Sequence, residues 1–176
     1  MLEQSLTIRP LIEADADAFR TLRLEAIQDS PMAIWPTLEE ERAKPHDVVH
    51  AQIRHTERQV VWGAFDGEAL VGIAGMRREP FRQLEHKALL WGVFVRPAYR
   101  KCGIARELLN HAFARAREQG VLQVSLCVNA ENDRAQRLYA SIGFVSYGIE
   151  PRALRVDGRY FDEKHMMLYL DRGAAS

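Results

Sequence analysis

The sequence predicts an α/β domain of the α+β kind. Its centre is a mixed, mostly antiparallel sheet of about seven strands, flanked by helices in three layers. Three observations predict it. Short apolar runs alternate irregularly with amphipathic segments, which argues against a regular βαβ repeat. Val60 to Phe65 and Leu70 to Met76 flank Asp66-Gly67, a favoured hairpin pair, so those neighbours run antiparallel. The chain has 176 residues with 47% hydrophobic content and no internal repeat or domain-sized linker, which suits one domain spanning 1–176 with a full core.

In order, Ser5 to Arg9 reads as the first strand. Ala14 to Asp29 reads as a helix, with Phe19, Leu22, Ala26 and Ile27 turned inward at helical spacing. Ser30-Pro31 breaks it. Residues 37–57 form two helical pieces divided at Pro45, rich in charge and poor in core positions. After the hairpin, Ala88 to Val95 is the fourth strand, Ile104 to Gln119 a helix and Gln123 to Val128 the fifth strand. Phe144 to Tyr147 and Phe161 to Leu170 are the last two strands. Between them, Asp157-Gly158 reads as a hairpin turn, so Arg152 and Arg155 would face the acidic pair Asp162 and Glu163.

Two segments carry chemistry. In the first, Val93, Phe94 and Val95 end a strand at Pro97, and Arg100 to Ala105 turns into a helix. Unpaired N–H groups at a helix start, beside small residues, make a site for pyrophosphate. Arg100, Lys101 and Arg106 add positive charge there. The turn lacks the three glycines of the dinucleotide fingerprint and the Gly-Lys-Ser/Thr ending of a P-loop. In the second segment, Asn132 is placed to cap a short helix whose buried face is Ala135, Leu138 and Ile142, and Gly143 is placed to end it. Tyr139 lies two turns after Asn132, on the same side.

Taken together, Arg100, Gly103 and Ala105, then Asn132, Ala135, Leu138, Tyr139, Gly143 and Phe144, resemble the GNAT superfamily of acyl-CoA-dependent N-acyltransferases. The opening Leu6-Thr7-Ile8-Arg9-Pro10-Leu11 is similar too, so the resemblance covers most of the chain. The turn departs from the superfamily pattern only by Cys102 and by alanine at 105. The resemblance implies that the fourth and fifth strands splay apart and hold the pantetheine arm of acetyl-CoA in the gap. Val93, Phe94, Val95, Arg100, Lys101, Cys102, Gly103, Ile104, Ala105, Arg106, Asn132 and Ala135 would bind that co-substrate. A backbone N–H near Val93 would polarise the thioester carbonyl. A neutral amine would attack directly, through a tetrahedral intermediate, and Tyr139 would protonate the departing thiolate.

The general base and the acceptor pocket fall on other residues. Leu89 and Trp91 stand where several superfamily members carry Glu or His, and neither can take a proton. Glu85 and His86 are the nearest titratable residues, with a water chain as the alternative. Trp35, Tyr160, Asp162 and Glu163 lie in the least regular segments and would bind a cationic amine, and Arg152 or Arg155 a carboxylate on the same substrate. The resemblance implies an amine on a small molecule or a peptide as acceptor. A catalytically silent acyl-CoA-binding module of the same fold is the alternative reading.

Composition excludes other classes. With 24 basic and 24 acidic residues the net charge is +0, so nothing recommends nucleic acid or an anionic membrane as partner. No apolar run suits a transmembrane helix or signal peptide. Cys102 and Cys127 show no metal-ligand spacing, and His46, His50 and His55 read as surface residues, so no metal is expected. Reduced thiols in a cytoplasmic protein are the natural reading. A dimer is common among similar proteins, and the last strands offer an edge for one.

Overall fold

The structure, a computed structural model, describes residues 6–171. Seven strands form one sheet in the order β1-β2-β3-β4-β5-β7-β6: β1 Leu6–Pro10, β2 Gln59–Asp66, β3 Ala69–Arg77, β4 Lys87–Val95, β5 Gln123–Asn129, β6 Val145–Val156 and β7 Arg159–Tyr169. Every pairing is antiparallel except β4 with β5. The predicted first-strand residue Ser5 lies outside the described residues. The helices are α1 Ala16–Asp29, α2 Leu38–Ala43, α3 His46–Ile53, α4 Ile104–Glu118 and α5 Asp133–Ile142. None of the described helices is long and apolar enough to cross a membrane.

Two apolar clusters sandwich the sheet. Leu108, Leu109, Ala112, Phe113 and Tyr139 of α4 and α5 pack on Val60, Val71, Leu90, Val124 and Leu126. Phe19 and Leu22 of α1 and Val49 and Ile53 of α3 pack on Val61, Ile73 and Phe94 of the other face. Adjacent residues such as Val60 and Val61 enter opposite clusters because strand side chains alternate.

Several expectations shift in detail. The first hairpin turns at Gly67-Glu68, one residue later than Asp66-Gly67, because Asp66 still pairs with Ala69. The second helical piece stops at Ile53 rather than near residue 57. Residues 37–57 hold one deeply buried charge, Glu41, 1% exposed, which accepts from Arg23 Nε and Nη2 at 3.2 Å and from Lys44 Nζ at 2.8 Å. The strand expected over Phe144 to Tyr147 starts at Val145 and runs on to Val156, interrupted by register shifts at Ser146/Gly148 and Glu150/Leu154. The Asp157-Gly158 turn forms, both residues having positive φ (48° and 81°) as a type I′ turn requires. The facing ion pairs across it do not form. Arg152 and Arg155 lie over the Tyr160 ring at 5.4 and 5.8 Å, and Asp162 accepts from the Arg152 backbone N–H at 2.8 Å.

Candidate active site

β4 and β5 pair only at their first residues, Lys87 with Gln123, Ala88 with Val124 and Leu89 with Ser125, and then part. A bulge drives the parting. Ile73 opposes Phe94 while Gly75 opposes Trp91, so Gly92 and Val93 share one partner, Ala74. Gly92 sits at φ 64° with the Arg23 guanidinium 3.5 Å from where a Cβ would be, so a side chain there would be strained. Gly75 serves the same region differently: a Cβ on it would lie 2.3 Å from the Trp91 ring.

A cavity of about 720 Å³ fills the gap, within the usual size of a small-molecule site. Backbone and side chains from Leu90 to Val95 form one wall, Leu126 to Asn129 the other, and the first turns of α4 and α5 the floor. Of the twelve residues assigned from sequence to the co-substrate, eleven line it; Cys102 does not, being exposed beside the turn.

The turn into α4 has the backbone shape of an anion site. Lys101 (φ 66°) and Gly103 (φ 80°) are left-handed on either side of Cys102, and such alternation turns successive N–H groups into one concavity. The first N–H groups of α4 add to it, since the helix's own bonding starts with Glu107 N–H to Gly103 O at 3.1 Å. Nothing stands within 4 Å of a Cβ built on Gly103, so the approach is open. The flanking cations divide their work. Arg100 donates Nε to Val95 O at 2.8 Å and Nη2 to Asp29 at 2.7 Å, tying the end of β4 to the end of α1. That guanidinium holds the Asp29 carboxyl below its usual range. Arg106 donates to Ser141 Oγ at 2.8 Å. Arg100 and Arg106 therefore brace the turn, and Lys101 is the cation of the three without a described hydrogen bond.

On the opposite wall, Asn132 caps α5, its Oδ1 accepting from Ala135 N–H at 3.1 Å, which leaves its Nδ2 to donate. Tyr139 is 8% exposed, packs edge-on against Phe144 at 5.6 Å, and lines the cavity. Burial raises its phenol well above the ordinary value, so it holds its proton throughout the neutral range.

The acceptor side only partly follows the sequence reading. Glu163 is 6% exposed and accepts from Trp35 Nε1 at 3.1 Å, but neither residue lines the cavity. No cation is bonded to it among the described residues. Tyr160 and Asp162 are elsewhere: alternation along β7 puts them on the face opposite Glu163 and His165. Glu85 and His86 do not line the cavity. They precede β4 at its closed end, where His86 O accepts from Leu122 and Gln123 N–H, and Leu90 is a further three strand residues, about 10 Å, beyond Lys87.

Sequence reasoning missed two elements of the site. Asn129, 2% exposed, donates Nδ2 to Met32 O at 3.1 Å and pins the Pro31–Ala33 turn against the end of β5. Cys127 lines the cavity with its Sγ 3.3 Å from His165 Nδ1, and His165 Nε2 is 3.2 Å from Glu150 Oε2. The signal for that trio is the β5–β7 register, which places Cys127 opposite His165. Among the described residues no group of three or more His, Cys, Asp or Glu is arranged to hold a metal ion.

Comparison with known proteins agrees with this geometry. The N-alpha-acetyltransferase RimI of Mycobacterium tuberculosis is 37% identical over 164 residues, 88% of each chain. A solved structure of yncA, a putative acetyltransferase from Salmonella typhimurium with its cofactor acetyl-CoA, superposes with a TM-score of 0.83 at 26% identity, covering 98% of both chains. The ribosomal-protein-alanine N-acetyltransferase of Brucella melitensis gives 0.77 at 27% identity, covering 93% of this chain and 99% of that one. The Acetyltransferase (GNAT) family profile matches residues 24–144, and with the splayed strands, the glycine turn and the buried tyrosine in place, the chain belongs to the GNAT acetyltransferase family.

Proposed function

We propose that this protein moves the acetyl group of acetyl-CoA to a primary amine by direct attack, without a covalent enzyme intermediate. The observation that carries the reading is Tyr139: a buried phenol, protonated at neutral pH and free of described hydrogen bonds, in the wall of the cavity between the parted strands. In the reaction the concave turn from Lys101 to Gly103 and the start of α4 would take the pyrophosphate. The unpaired edge of β4 around Val93 would hold the pantetheine amides and polarise the thioester carbonyl. Val95 contributes less, its carbonyl being engaged by Arg100. Asn132 Nδ2 would donate to the pantetheine arm. Tyr139 would then give its proton to the leaving thiolate.

The acceptor we favour is the α-amino group of a peptide or protein N-terminus. The RimI relative supports it, and Glu163, a buried carboxylate behind the cavity wall and near enough to Cys127 to act on its thiol, adds negative charge on the side an ammonium group would approach. A catalytically silent module is disfavoured because Tyr139 and the glycine turn are both intact. The two free thiols suit a reducing, cytoplasmic setting. If the protein is a homodimer, its edge is β6, where Val145, Tyr147 and Ile149 are exposed.

The test is thiol release from acetyl-CoA with short peptides whose N-terminus is free or blocked, each also carrying a lysine. Release with the free form alone, and an acetyl group located on the N-terminus by mass spectrometry, is the expected result. Equal release with blocked peptides contradicts the α-amine assignment. Binding of acetyl-CoA with no release for any amine contradicts the enzyme.

A further inference from the structure

Any amine acetylated in this cavity arrives largely as an ammonium ion and must lose a proton before it can attack. Glu85 and His86 are too far from the cavity to take it. The residue types along β4 offer no alternative, Leu89, Leu90 and Trp91 having no basic side chain.

The opposite wall carries one. Cys127 of β5 lines the cavity, and strand alternation puts its side chain on the face that also bears Asn129 and looks toward the Pro31–Ala33 turn. Behind it, on β7, stands His165, with Nδ1 3.3 Å from the sulfur. Behind His165, on β6, Glu150 Oε2 lies 3.2 Å from Nε2. The partners fix the protons: a carboxylate can only accept, so Nε2 carries the hydrogen and Nδ1 has a free lone pair facing the thiol. Burial, with the Glu163 and Glu150 carboxylates nearby, raises the Cys127 thiol, so the sulfur keeps its proton and directs it at Nδ1. The other groups facing His165 are the Tyr147 ring, 5.9 Å away, and Glu163 on the same face of β7. Lys164 points to the other face and donates to Gln136. The carboxylates of Glu150 and Glu163 are thus the charged groups that face the imidazole.

We propose that Cys127, His165 and Glu150 form a proton relay that deprotonates the acceptor amine, an inference that rests on the acetyltransferase reading above. The ammonium N–H passes its proton to Cys127 Sγ while the thiol proton moves to His165 Nδ1. The sulfur ends as it began, the nitrogen gains a free lone pair, and the imidazole becomes an imidazolium. The imidazolium then loses one proton to water and relaxes to the Nε2–H tautomer, which Glu150, its side chain 57% exposed, holds in place by accepting from Nε2. Cys127 forms no bond to carbon in this scheme. Cys127 is the catalytic residue, touching the amine; His165 acts through it, and Glu150 positions His165.

The experiment is the pH dependence of kcat/KM for wild type, His165→Gln, Cys127→Ala, Cys127→Ser and Glu150→Gln, on the peptide that wild type acetylates best, with acetyl-CoA affinity measured alongside. His165→Gln is expected to lose roughly 100-fold or more near neutral pH, the lower range for a general base. It should also lose the ascending acid limb while binding acetyl-CoA as wild type does. Cys127→Ala should match it, and Cys127→Ser, which keeps a proton-passing group, should retain most activity. Glu150→Gln, at an exposed position where folding is not at stake, should lower kcat while leaving KM and acetyl-CoA affinity near wild type, since the imidazole loses the carboxylate that fixes its tautomer. Wild-type activity in both His165→Gln and Glu150→Gln, with an unchanged acid limb in His165→Gln, overturns the relay. So does an acetyl group found on Cys127 by intact mass, which would make it a nucleophile. Failure of wild type to acetylate any amine overturns the acetyltransferase reading itself, and the relay with it.

Discussion

Tyr139 shows how a residue's surroundings decide its chemistry. A phenol in water would lose its proton near pH 10; this one, walled in by Phe144 and the helix it sits on, keeps it, and only a group that holds its proton can donate one to a thiolate. Tyr139→Phe removes one oxygen and leaves the packing. The expected outcome is a fall in kcat of about 100-fold or more, the general-acid range, with acetyl-CoA affinity unchanged by calorimetry. A parallel loss of affinity would make Tyr139 a binding residue instead. Cys102, by contrast, shows the limit of position in a motif: it stands within the turn yet faces solvent.

At the scale of elements, the site exists because one strand is one residue too long. The Gly92–Val93 bulge bends β4 away from β5, and the gap this opens is the cavity. Arg23 lies beneath the bulge, bonded to Glu41, so α2 is held to α1 through a buried ion pair directly behind the site. Burial alone would raise the Glu41 carboxyl, but hydrogen bonds from Arg23 and Lys44 outweigh it and hold it lowered. Glu41→Leu leaves the Arg23 charge buried without its partner. The expected cost is about 3 kcal/mol or more, read from chemical denaturation. A loss below about 1 kcal/mol would mean that Arg23 reaches water when its partner goes. These elements also mark what the sequence could express. Helix caps, the Asn132 start, the Gly143 stop and the glycine turn are local signals, and they were legible. The bulge, the Arg23–Glu41 pair and the Cys127–His165–Glu150 line depend on which strands and helices become neighbours, which no local pattern states. Glu85 and His86 looked close to the site along the chain for the same reason. β4 then carries the chain several residues away from them before the cavity begins. The sequence ends β6 at Tyr147 because the strand's two bulges break the alternation by which a strand is recognised.

Across the whole molecule, several carboxylates work as fasteners. Asp15 is lowered by its hydrogen bonds from Arg9, at 2.7 and 2.9 Å, and joins β1 to the start of α1. Asp29 is lowered by Arg100 and joins α1 to the turn before α4; Glu41 joins α2 to α1. Their folded-state values lie below those of the unfolded chain. The stability they contribute is therefore fully present above the ordinary carboxylate range, and it is lost as pH falls through the lowered values. The melting temperature should hold from about pH 7 to 5 as far as these groups are concerned and drop steeply below about pH 4. A maximum below pH 4 would contradict that assignment.

The most direct test of the central claim, that the gap between β4 and β5 is an acetyl-CoA site, is the melting temperature of wild type and Gly103→Glu with acetyl-CoA, CoA, ATP and NADH. A ligand at about a hundred times its dissociation constant adds roughly 2.7 kcal/mol, which for a domain of this size corresponds to a rise of about 5–11 °C. The account predicts that rise with the two CoA species alone, and its disappearance in Gly103→Glu, whose carboxylate would occupy the open approach to the concave turn. No shift with acetyl-CoA, or an equal shift in both proteins, would contradict it.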